Sequence, residues 1–142
     1  MSKMYLSVLQ ANELIQKIKP DVERLFELNE QLHFLDNTKI EFDNDSVENF
    51  LLEVELNKNF HEKNLELYTL LGFLIRQGCV MRDLDKMEID FYSRHVGKDI
   101  LLCWRPNEEQ ILFWHFLGDD MSKRKAIKQL REEMSENLKK LI

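Results

Sequence analysis

At Gly78 the hydrophobic period of this chain changes from that of a helix to that of a strand, and this division limits its possible folds more than any other feature. Before it, Ile15, Ile18, Val22, Leu25 and Leu32 recur at steps of three and four, with Asn29 in the apolar slot between the last two. Ser7 precedes Gln10 at capping-box spacing, so helical structure is expected from about Val8 to Phe34, with Pro20 kinking or restarting it. A loop should follow over Leu35 to Asp45, because Asp36, Asn37, Asp43, Asn44 and Asp45 favour turns and caps. Its acidic cluster lacks the glycine and ligand positions of an EF-hand, which favours a solvated loop over a calcium site. From Ser46 there is no Gly or Pro until Gly72, and Leu56, Phe60, Leu67, Leu70 and Leu74 share one stripe. Gly78 suits a left-handed C-cap for that helix. Two seamed helices joined by a short loop predict an antiparallel hairpin.

After Gly78, Ile89, Phe91 and Ser93 alternate with Glu88, Asp90 and Tyr92, and similar runs follow at Asp99 to Trp104 and Gln110 to Leu117. Turn chemistry at His95 to Lys98 and Pro106 to Glu109 points to an antiparallel meander, with Val80 to Arg82 as a further strand. From Ser122 the positions Ile127, Leu130, Met134, Leu138 and Leu141 have helical spacing. With 142 residues and 44% hydrophobic content the chain has enough material for one core and too little for two. The expected fold class is therefore α+β in a single domain over 1–142. It comprises a long helical hairpin over 1–78, a small antiparallel meander of three to four strands over 79–118, and a C-terminal helix over 121–142.

Pairing Arg105 with Gln110 would place Ile100, Leu102, Trp104, Ile111, Phe113 and His115 on one sheet face, joined by Ile89 and Phe91. The opposite face would hold Glu88, Asp90, Tyr92, Leu101, Cys103, Arg105, Leu112, Trp114 and Phe116, a mixture too apolar to be left in water. Tyr92, Leu101, Leu112 and Trp114 are then the interface candidates, and a homodimer is the expected assembly. Asp90, Cys103, Arg105 and His115 are the candidates for catalysis or ligand binding, with a thiolate as nucleophile. Parity in that register separates Cys103 from His115 and opposes a Cys-His dyad. The simpler expectation makes Cys103 a small buried hydrophobe, His115 a core-edge imidazole, and Asp90 with Arg105 a structural ion pair. Trp104 and Trp114 could stack a ligand, but aromatics at strand spacing more often fill a core.

A formal charge of -6 argues against a general nucleic-acid or anionic-membrane binder, so neither is an expected partner. Lys123, Arg124 and Lys125, continuing to Lys128 and Arg131, nevertheless form a basic run that could hold an anion or RNA; more often such a run is a solvated helix face. Cys79, Cys103, His95 and His115 have no metal-ligand spacing, and no metal or cofactor is expected. A lone pair of cysteines fits reduced thiols, and no apolar run approaches the ~20 residues that span a bilayer, so a cytoplasmic location is expected.

The series Ala11-Asn12, Gly78-Cys79-Val80 with Asp83, Asp90-Phe91, Gly97, Leu102-Cys103-Trp104-Arg105, Trp114-His115 and Arg124 resembles an uncharacterised prokaryotic family, domain of unknown function 2203. The matches run in order through nearly the whole chain. The sequence departs from the family pattern at Met87-Glu88-Ile89 and at Pro106-Asn107-Glu108. What the resemblance implies is domain extent and a cytoplasmic location; it supplies no reaction. A self-associating or partner-binding module is thus favoured over an enzyme. The alternative is a small-ligand site or active site around Asp90, Arg105 and Trp114, and a further one is anion or RNA binding through Lys123 to Arg131.

Overall fold

A computed structural model describes residues 3–37, 47–119 and 121–128. Helix α1 spans Val8–Asn37 and α2 spans Val47–Arg76. The capping box forms as the spacing predicts: the Ser7 amide donates to Gln10 Oε1 at 2.9 Å and the Gln10 amide donates to Ser7 Oγ at 3.1 Å. Pro20 does not restart the helix. It lies on the exposed side, as does Gln16, whose carbonyl loses its intrahelical donor and can be satisfied by water. The helices form the expected antiparallel pair, tied by a bidentate Arg24–Glu66 contact (2.9 Å for both bonds) and by Lys63 donating to Gln31 at 2.9 Å.

The sheet has five strands in the order β1-β2-β3-β4-β5, one more than the upper expectation of four. They are β1 (Cys79–Asp83), β2 (Glu88–His95), β3 (Lys98–Trp104), β4 (Phe113–Phe116) and β5 (Lys125–Ala126), and every neighbouring pair is antiparallel. Gly78, at φ 108, closes α2 in the region that disfavours a Cβ, and a side chain there would also meet Met4 Sδ at 3.0 Å. The β2–β3 hairpin turns through Val96 and Gly97, both at positive φ as a type I′ turn requires. Beyond the start of β1, Leu6 takes over the free edge of β2, its amide donating to the Tyr92 carbonyl at 2.8 Å.

The second hairpin departs from the expected register by one residue. Leu102 pairs with Trp114 and Cys103 with Phe113, so Trp114 and Phe116 join the face of Ile89, Phe91, Ile100, Leu102 and Trp104, while Phe113 and His115 turn to the other. The cause is the connection 105–112, which docks on α1 in place of a tight turn. Within it the Glu108 side chain accepts from the Arg105 amide at 2.9 Å and the Glu108 carbonyl accepts from Trp104 Nε1 at 2.8 Å. Asn12 accepts the Ile111 amide at 2.7 Å and Gln16 donates to the Glu109 carbonyl at 3.1 Å. Ile111 is thereby held in the core, and the alternation restarts only at Phe113.

The core face of the sheet and the α1 seam share one apolar cluster, completed by Leu67 and Leu74 of α2. Asn29, in its apolar slot, is explained by the β1–β2 turn: it donates to Asp85 Oδ1 at 3.0 Å beside His33. The helix expected from Ser122 begins later, because Met121–Lys123 is a 3-10 turn and Lys125–Ala126 is β5, so helical backbone starts at Ile127. The remaining positions of that expected helix, and loop positions 38–46, lie outside the described residues. Among the described residues no helix is long and apolar enough to cross a membrane.

Trp114→Ala should cost ~3–5 kcal/mol because its ring is fully buried, whereas Leu112→Ala, 43% exposed, should cost under ~1 kcal/mol. Urea unfolding of the two variants checks this; the expected register, which sets both residues on the outer face, would make neither a core residue and give no such contrast.

Candidate functional site

The one-residue shift brings three expected site residues together. Asp90 on β2, Cys103 on β3 and His115 on β4 lie on the sheet face opposite α1, and all three are buried. A fourth member, Arg82, was not foreseen. The β1–β2 register is irregular between Met81 and Asp83, and Arg82 is the extra residue there, so the bulge directs its side chain across the sheet face. Its guanidinium donates both to the Asp90 carboxylate and to His115 Nε2. The alternation of Val80 and Arg82 opposite Asp90 was the available sequence signal, but the bulge was not legible.

These bonds define protonation. A guanidinium cannot accept, so His115 Nε2 accepts from Arg82 while Nδ1–H donates to the Phe116 carbonyl at 2.9 Å. Burial pushes the Asp90 carboxyl above the ordinary carboxylate range, with Arg82 pulling the other way. Burial, reinforced by the Asp90 charge, pushes the Cys103 thiol up to about 12. Burial alone does the same to Cys79. The proximity that a Cys-His dyad needs is therefore present, but its electrostatics are inverted: the imidazole is occupied by Arg82, and a carboxylate beside the sulfur opposes the thiolate.

Arg105 belongs to a neighbouring pair. It donates to Glu88 Oε1 at 2.6 Å, so the expected Asp90–Arg105 ion pair is replaced by Asp90 with Arg82 and Glu88 with Arg105. Between the two pairs lies a void of ≈10 Å³, lined by Glu88, Asp90, Cys103, Arg105 and Arg124 among others. That is room for about one water molecule. Among the described residues every buried side-chain N or O has a partner. The cluster is thus a closed polar network that clamps β1, β2 and β4 across β3.

The other expected sets do not assemble. Trp114 is fully buried on the core face, away from Tyr92 and Leu101, and Leu112 sits in the β3–β4 connection, so the four interface candidates share no surface. For the same reason Trp114 cannot join a site with Asp90 and Arg105. Arg124 stacks over Phe113 at 4.4 Å while Lys125 lies over Trp114 at 5.2 Å, on opposite sheet faces, and Lys123 ends the 3-10 turn. They do not form one basic helix face. Cys79 and His95 are likewise separated by the sheet from Cys103 and His115.

A different surface stands out. Phe60, Leu67, Leu70, Leu71 and Leu74 face the core and Leu56 is half-buried, but Val47, Leu51, Val54, Leu65, Tyr68 and Ile75 are all exposed on the outer side of α2. With Lys58, His61 and Gly72 they step by four and three along the whole helix, a second heptad seam. Leu65 is 70% and Tyr68 68% exposed. The apolar positions form two exposed halves, Val47 to Val54 and Leu65 to Ile75, with Lys58 and His61 between them on a helix ~45 Å long.

The family model described as "Uncharacterized conserved protein (DUF2203)" matches residues 4–127. Neither the curated proteins nor the solved structures contain a match.

Arg82→Met should destabilise by ~3 kcal/mol, at the low end for breaking a buried pair because Arg82 is partly exposed, and adding Asp90→Asn should recover part of that loss. The native chain holds the Asp90 proton to higher pH than the unfolded chain, so this group's contribution to stability falls as pH rises from the ordinary carboxylate value through the native one. Asp90→Asn should remove that slope. Urea unfolding of the four members of the cycle between about pH 3 and 7 measures both effects.

Proposed function

The chain belongs to the DUF2203 family, and from that premise we propose that it is a self-associating module, a homodimer whose contact is the outer face of α2. The single observation that carries this reading is the exposed heptad seam. An isolated helix face of this kind would be polar, since only the α1-facing stripe is needed for the fold. Here the outer stripe is apolar at both ends of a helix of 30 residues. Water contact with that much apolar area is unfavourable at ~25 cal/mol per Å², and association removes it.

The polar cluster supports a structural role better than an enzymatic one. Its cavity admits no metabolite, its thiol is protonated, and its donors and acceptors already satisfy one another. We also infer a single domain in a reducing, cytoplasmic setting, which the two free and buried cysteines support.

Light scattering over a concentration series should show a dimer. Leu65→Glu should weaken it at least ~10-fold, equivalent to ~1.4 kcal/mol, without altering thermal unfolding of the monomer, because Leu65 makes no core contact. A wild-type monomer at all concentrations would overturn the reading.

A further inference from the structure

We propose that the two copies of α2 run antiparallel, with their two-fold axis near residue 60. This rests on the self-association reading and adds the geometry of the pair. The seam has two polar positions at its middle, Lys58 and His61, between the apolar halves Val47 to Val54 and Leu65 to Ile75. Parallel, in-register pairing would set Lys58 against the partner's Lys58 within the seam, opposing like charges at the position where desolvation is greatest.

Reversal removes that conflict. Between Val47 and Gly72 a seam stepping by four and three reads the same from either end, so the apolar halves overlap there and Ile75 alone lies beyond the overlap. Leu51 then meets the partner's Tyr68, Val54 meets the partner's Leu65, and Lys58 lies beside the partner's His61 and Glu62. Within one chain Lys58 Nζ and Glu62 Oε1 are 3.9 Å apart, a loose contact between side chains 64% and 66% exposed, so both can pair across the axis. The charge complementarity that selects an antiparallel copy is therefore present in α2 itself. Two strips ~45 Å long and ~10 Å wide laid face to face cover a footprint of ~900 Å², the size of a weak, reversible contact.

Cysteine crosslinking reads the direction. In the antiparallel pair Val54 lies ~16 Å along the axis from the partner's Val54 but next to the partner's Leu65. After mild diamide oxidation, the double variant Val54→Cys with Leu65→Cys should give a covalent dimer on a non-reducing gel, and Val54→Cys alone should not. The wild-type chain, whose Cys79 and Cys103 are buried, is the control. If Val54→Cys alone crosslinks as readily as the double variant, the helices are parallel, and this inference fails while self-association stands. A dimer by mass in which neither variant crosslinks places the contact elsewhere and overturns both. A monomer by mass removes the basis for both.

Discussion

The burial of α1 is the constraint on which the rest of the structure depends. Ala11, Ile15, Val22, Leu25 and Leu28 are fully buried, and their helix is packed both on the sheet and on α2. An apolar seam so enclosed needs polar groups only where a neighbour can satisfy them, and those exceptions attach the loops. Asn12 and Gln16 hold the β3–β4 connection, while Asn29 and His33 hold the β1–β2 turn. Because these bonds come from rigid helix positions, they set where each strand begins and therefore which way its side chains point.

From that placement follows the character of the second sheet face. Four groups with opposed requirements, a guanidinium, a carboxylate, an imidazole and a thiol, are gathered under low solvent access. They remain there because each completes another: Arg82 bridges Asp90 and His115, and His115 spends its other nitrogen on a backbone carbonyl. A buried charge pair is poor evidence of stability for its own sake, since desolvation offsets much of its attraction. Its effect here is on specificity. A shifted β4 would bury Phe113 and His115 against α1 and leave Arg82 and Asp90 without their third member, so the network penalises the alternative register that the hydrophobic pattern alone permits.

The same economy accounts for the surface of α2. With the sheet and α1 already covering one another, α2 contributes only its inner stripe to the core, through Leu67 and Leu74 and their partly buried neighbours. Its outer apolar stripe has no counterpart within the described residues. A helix apolar on both sides is suited to lie between two layers, and the proposed contact between copies rests on that feature of α2.

Much of this was legible from residue order. The switch of period at Gly78, the capping box at Ser7, the two-residue turn at Val96-Gly97 and the strand over Val80 to Arg82 are local consequences of side-chain spacing and backbone preference, and each appears where the sequence places it. Asp90, Cys103 and His115 were also identifiable as chemistry-bearing residues. What the sequence could not decide was which of them meet. That depended on a connection folding onto Asn12 and Gln16, remote in sequence, and on a bulge at Arg82; each adds a residue between strands whose side-chain period is two, and a single residue exchanges the faces. Local pattern determined the elements, and long-range contacts decided their register, because parity in a sheet is set by the loops and bulges between paired positions.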